Sequence, residues 1–181
     1  MARQLRRTLG SITDEGMVAL MRQIQTQSVQ TISRWCIGYA ATYYLPIYER
    51  LAREAGIQDV QNMESVMTVA DGYLEGAFTR AQLKSAITLG RQIARATLFS
   101  PVAQAAARAC SVAASVPVSP TSSLGMCGYG AAAVAYDELG TQATTQAYDE
   151  RAQCEFARLL ASLVDQSVDG EPHPADIDWN C

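Results

Sequence analysis

The chain has 181 residues, of which 49% are apolar and 18% charged, with a formal net charge of −4. That apolar share can fill one sizeable core and argues against disorder, and the length suits a single domain. The acidic balance gives no general attraction to nucleic acid, and no apolar run reaches the roughly 18 residues that a spanning helix needs, so neither nucleic acid nor membrane is expected as a partner.

Residues 1–10 read as a flexible basic arm holding Arg3, Arg6 and Arg7, residues 11–169 as a helical domain, and residues 170–181 as an acidic, proline-containing tail. The opening Met1-Ala2-Arg3-Gln4 has no secretory leader, which predicts a cytoplasmic protein. A first helix is predicted to start at Ser11 or Thr13, either of which can cap free backbone N–H groups, with Asp14 and Glu15 at the positive end of the dipole. Its apolar face runs through Met17, Leu20, Met21, Ile24, Ser28, Ile32 and Trp35, then Tyr39, Tyr43, Tyr44 and Ile47 to Leu51, with Gly56 as the stop. Pro46 lacks an amide hydrogen and must kink or split this long segment.

A helix over roughly Asp59 to Tyr73 turns Val60, Met63, Val66, Met67 and Ala70 inward. Thr79 with Gln82 forms a capping box that opens the next helix, whose core face is Leu83, Ala86, Ile87, Gly90, Ile93 and Ala94. Arg80, Lys84, Arg91 and Arg95 fall on its other positions. Ser100-Pro101 is a cap followed by a proline suited to the first helical turn, and the alanines behind it let a neighbouring helix approach closely. Leu83, Ile87, Ile93, Ala106 and Ala109 are expected in the core.

Val116-Pro117-Val118-Ser119-Pro120 is a connection, and Ser119-Pro120 repeats the cap-plus-proline start. The next helix ends at Gly140, and Thr141 is predicted to cap a last one carrying Ala147, Cys154, Phe156, Ala157, Leu160 and Val164. The fold class is therefore all-α: a single-domain bundle of six or seven helices with alanine-rich central helices.

The inventory of reactive groups is short. His173, the single histidine, lies between two prolines in the tail, a poor place for a general base. Five cysteines, Cys36, Cys110, Cys127, Cys154 and Cys181, show no metal-type spacing, and their odd number suits a reducing compartment. Cys181 is the one expected to be exposed. Asp137, Glu138, Asp149, Glu150 and Glu155 could form a carboxylate-only metal site but read as a solvated helical face, so no metal and no cofactor is predicted. Gly125, Gly128 and Gly130 lack the strand and the lysine of a phosphate loop and are expected to permit close helix contact.

Two tyrosine-bearing features remain. Trp35, Tyr39, Tyr43, Tyr44 and Tyr48 form a stripe at helical spacing, and Ala135-Tyr136-Asp137-Glu138 is echoed by Ala147-Tyr148-Asp149-Glu150. Rigid phenols and complementary charge commonly carry affinity and on-rate. Exposed members of Tyr43, Tyr44, Tyr48, Tyr136, Asp137, Tyr148 and Asp149 are therefore the candidate contacts to a protein partner.

The succession Arg34-Trp35-Cys36, Tyr44-Leu45-Pro46-Ile47-Tyr48-Glu49, Gly72-Tyr-Leu-Glu-Gly76 with Thr79, Pro101 with its alanines to Ala109, and Tyr129-Gly-Ala-Ala-Ala133 resembles the small helical immunity proteins associated with bacterial toxin systems. The resemblance spans residues 30 to 165. It implies a non-enzymatic inhibitor that binds a cognate toxin. The alternative from a different class is a homo-oligomeric helical scaffold or adaptor; a third is a helical enzyme using carboxylates or an exposed cysteine.

Overall fold

A computed structural model describes residues 5–179. Arg3 and Cys181, on which two expectations rest, lie outside the described residues. Helices α1 (Glu15–Gln25), α2 (Val29–Tyr39), α3 (Leu45–Glu54), α4 (Gln61–Leu74), α5 (Arg80–Ala96), α6 (Pro101–Ala113), α7 (Ser122–Leu139) and α8 (Thr145–Gln166) follow in chain order. Among the described residues there is no strand, and the fold is the all-α bundle that the sequence predicts. A π-turn over Ala40–Tyr44 joins α2 directly to α3, so these two run on as one and the bundle has seven helices among the described residues.

Local signals place most helix ends. Thr79 and Gln82 form the reciprocal capping box at α5, and the Ser100 hydroxyl accepts from the Ala103 N–H ahead of Pro101 in α6. At the end of α3, Gly56 takes φ +72°; its N–H reaches the Arg53 carbonyl at 3.0 Å and the Ile57 N–H reaches Ala52 at 2.9 Å. This paired closure needs a left-handed residue, which glycine adopts without a Cβ clash.

Five boundaries differ from expectation. Helix α1 begins at Glu15 with Asp14 in the N-cap position, not Ser11 or Thr13; Ser11 and Thr13 lie in the turn before it, where the Ser11 N–H reaches the Asp14 carboxylate at 2.8 Å. The first long segment breaks at Thr26–Ser28, where Ser28 is not a face residue: its hydroxyl accepts from the Thr31 N–H and starts α2. Pro46 does not split the helix, because the preceding turn is widened so that Leu45 donates to Ala40, five residues back; the looser turn accommodates a residue that cannot donate and whose ring crowds the turn before it. Ser119 does not cap α7. Residues Val116–Val118 form a 3₁₀ turn, and the N–H groups of Ser122 and Ser123 go instead to the carbonyls of Ser119 and Pro120. Finally, α8 is capped by Thr144 and not Thr141. The Tyr148 hydroxyl holds the intervening turn, accepting from the Ala143 N–H at 3.1 Å and donating to the Gly140 carbonyl at 2.6 Å.

The centre of the bundle is the α6–α7 pair, with α6 also against α2, α3, α4 and α5. Ala103, Ala105, Ala106, Ala107, Ala109 and Ala113 of α6 and Ala131 to Ala135 of α7 are buried, and their small side chains let the two axes come close. Leu83, Ile87, Ala106 and Ala109 lie in the core as expected, whereas Ile93 is only partly buried and packs on its margin.

The inward row of α8 is Tyr148, Ala152, Glu155, Phe156, Leu159 and Leu163. Of the predicted row only Phe156 is buried; Cys154, Ala157 and Val164 are exposed, and Ala147 and Leu160 are half-buried. The observed row keeps a three- and four-residue spacing, and the predicted residues other than Phe156 flank it on one side or the other, so a different face of the helix is turned inward.

Residues 5–10 and 171–179 are not helical but pack on the bundle. Leu9 is fully buried, its N–H bonded to the Gly128 carbonyl at 3.1 Å. The tail N–H of Ala175 reaches the Gln27 carbonyl at 2.8 Å, and Ile177 is buried beyond it.

Candidate functional site

The densest polar chemistry inside the bundle is built around Glu155. Its position on the inward row of α8 carries the carboxylate to 0% exposure. Such a group is costly to bury unless hydrogen-bonded and paired. Here Oε1 accepts from the Tyr39 hydroxyl at 2.9 Å and the Tyr44 hydroxyl at 3.1 Å, and Oε2 from Arg158 Nη1 at 3.2 Å. Arg151 Nη2 lies 3.7 Å from the same Oε2. The π-turn separates Tyr39 from Tyr44 so that both rings reach Glu155 while packing edge-on, with centroids 5.5 Å apart.

This setting fixes protonation states. Burial, and then the Glu155 charge, push the Tyr39 and Tyr44 phenols well above their ordinary range, so both act as hydrogen-bond donors and not as bases. Burial followed by the Glu155 charge likewise raises the Cys127 thiol, and burial raises Cys36 and Cys110, which makes all three poor nucleophiles. Cys154 is exposed.

The tyrosine and carboxylate positions singled out in the sequence part ways here. Tyr44, Tyr48, Tyr136 and Tyr148 are at most 3% exposed and cannot serve as contact anchors in this conformation. Their hydroxyls are committed inward; Tyr136 donates to the Arg6 carbonyl at 2.8 Å, and its ring meets that of Tyr148 edge-on. Tyr43 is the exposed one, at 43%, with the Arg158 guanidinium 5.1 Å over its ring. The two copies of the Ala-Tyr-Asp-Glu echo thus pack on each other, and three of their four acids face arginines, while Glu150 accepts from Gln146 Nε2 at 2.9 Å. Asp137 pairs with Arg50 at 2.5 Å, Asp149 with Arg6, and Glu138 with Arg151 at 2.5 Å. The hydrogen bonds from Arg151 hold the Glu138 carboxyl below its usual range. Among the described residues no group of histidine, cysteine and carboxylate side chains is arranged to hold a metal ion.

The burial of Glu155 was missed because Arg151 and Arg158, four residues before and three after, look like the ion pairs of a solvated face. The signal that could have found it is the row Tyr148, Ala152, Leu159 and Leu163, which has Glu155 in its middle.

The glycines of α7 work as expected, permitting close contact. A Cβ on Gly130 would lie 2.1 Å from the Tyr44 ring, and one on Gly128 would lie 3.3 Å from Thr8. Several concavities sit away from Glu155. One, of about 420 Å³, lies between residues 8–12, the start of α7 and Trp179. Another, of about 430 Å³, is an apolar groove between α4 and α5 lined by Val66, Val69, Phe78, Ala81 and Leu89. No helix among the described residues is long and apolar enough to cross a membrane.

A family model described as Imm-5 like putative immunity protein matches residues 22–162. No curated protein and no solved structure matches the chain.

Proposed function

Because the chain belongs to the Imm-5 like immunity protein family, we propose that it is a non-enzymatic binding protein that neutralises a cognate protein toxin. The family match from α1 to α8 carries this reading. The internal chemistry supports it: the buried carboxylate is saturated by phenols and guanidinium groups, three thiols are held protonated, and the single histidine is exposed in the tail. None of these pairs a nucleophile with a base. The protein acts in the cytoplasm, a reading supported by the unpaired thiols of Cys36, Cys110 and Cys127 in the core.

The test is co-expression with the products of adjacent genes, scored by growth rescue from any that proves toxic and by isolation of a stable complex. Rescue that persists in His173→Ala supports binding alone. Turnover of a small molecule that disappears in His173→Ala overturns it.

A further inference from the structure

Helix α5 carries Arg80, Lys84, Arg91 and Arg95 and no acidic residue. The rest of the chain then holds ten basic residues against eighteen acidic ones, so a segment of charge +4 sits in a body of charge −8. At 3.6 residues per turn the four cations fall within an arc of about 60°, and at 1.5 Å per residue they span about 22 Å. All four are exposed.

Arg6, Arg34, Arg50, Arg53, Arg151 and Arg158 are engaged with carboxylates, whereas none of the four on α5 has an ion-pair partner among the described residues. Arg7, Arg22 and Arg108 have none either, but they are scattered over the N-terminal segment, α1 and α6 and form no row, and Arg108 lies 5.8 Å from the Tyr129 ring centroid. Arg80 and Lys84, and again Arg91 and Arg95, are like charges four residues apart, which is unfavourable for the helix. Arg80 also occupies the first helical position, against the positive end of the dipole. Only Arg95, in the last turn, is favourably placed on the dipole, so the stripe as a whole gives the helix little that a neutral face would not. Directly after it, Leu98 is 79% exposed and Phe99 40%.

We infer that this stripe, with Leu98 and Phe99 at its end, is the face that docks an acidic surface of the toxin, an inference that rests on the immunity reading above. Complementary charge steers encounter and register, and apolar side chains desolvated at contact slow dissociation. A protein with a local acidic patch fits better than nucleic acid. A duplex carries its charge along its whole length and would meet the surrounding excess of carboxylates, and four cations fall short of the phosphate contacts that usually hold one.

The experiment takes the products of adjacent genes, selects one that is toxic when expressed alone, and measures its association with the purified chain, beside growth rescue. The variants are Arg91→Glu/Arg95→Glu, a control Arg7→Glu/Arg22→Glu that changes net charge equally off the stripe, and Leu98→Ala/Phe99→Ala, each checked for folding by circular dichroism. The expected result is an association rate at least tenfold lower for the stripe variant, within twofold of wild type for the control, and a dissociation rate raised at least fivefold for the apolar variant. Wild-type rescue with an unimpaired stripe variant overturns the docking face and leaves the immunity reading standing. Failure of the wild type to bind or rescue overturns both. Tight, stripe-dependent binding of a 20-base-pair duplex in place of the toxin overturns the protein partner.

Discussion

The Tyr44 ring occupies the space that a side chain at Gly130 would need: a Cβ there would stand 2.1 Å from Cζ and 2.3 Å from the hydroxyl oxygen. The ring cannot step aside, since it is fully buried and its hydroxyl holds Glu155. Gly130→Ala should therefore destabilise the protein by about 2–3 kcal/mol, overpacking outweighing the gain in helix propensity of up to about 1 kcal/mol. Urea unfolding of Gly130→Ala checks this, and Gly130→Ala/Tyr44→Leu should show a coupling that separates the clash from the lost hydrogen bond.

Removing the acceptor should cost more than removing one donor. Glu155→Ala leaves two buried phenols without an acceptor and Arg158 without its carboxylate, while Arg151 keeps Glu138, a loss of about 3–5 kcal/mol. Tyr39→Phe should cost about 1–2 kcal/mol. Denaturant midpoints of the two variants give the comparison, and equal losses would show that the cluster does not depend on the carboxylate.

Alkaline conditions should weaken the fold. Burial raises Cys110 and Cys127 above their ordinary 9.0 and Tyr39 above 10.0, so folding holds protons that the unfolded chain releases. Their contribution is fully present below pH 9 and declines as pH rises above the unfolded values, by up to about 1.4 kcal/mol per pH unit for each group. Cys110→Ala should flatten the slope of stability against pH between 9 and 11 by one such increment, read from urea midpoints at each pH.

Two changes in the tail should behave differently. His173 is exposed, and its backbone N–H bonds to the Glu171 side chain at 3.1 Å; His173→Ala should leave thermal stability and rescue unchanged. Truncation after Gly170 removes the Ala175–Gln27 bond and exposes the surface under Ile177, a loss of about 2–3 kcal/mol. A scan of the two variants side by side decides whether the tail is part of the fold.

In the core, Ile87 is 5% exposed on the inward face of α5. Ile87→Asp places an unpaired charge there and should lower stability by more than about 4 kcal/mol. Unchanged thermal unfolding would mean that the helix turns a different face inward.

What a short window of residues decides was legible in the sequence. The capping box at Thr79, the Ser100-Pro101 start, the glycine stops at Gly56 and Gly140 and the inward row from Val60 to Ala70 depend on neighbours three or four positions away, which is the reach of one helical turn. Arrangements across long separations were decided by packing alone. Tyr44 against Gly130 and Tyr39 on Glu155 join residues more than eighty positions apart, and the carboxylate is tolerated in the core only because those phenols arrive with it. The same holds for the tyrosines and acids proposed as contacts. Composition marks them as good interface residues, but burial withdraws the tyrosines other than Tyr43, Asp137 and Asp149 are paired with Arg50 and Arg6, and the row of cations left facing solvent is that of α5, for which the fold supplies no opposite charge among the described residues.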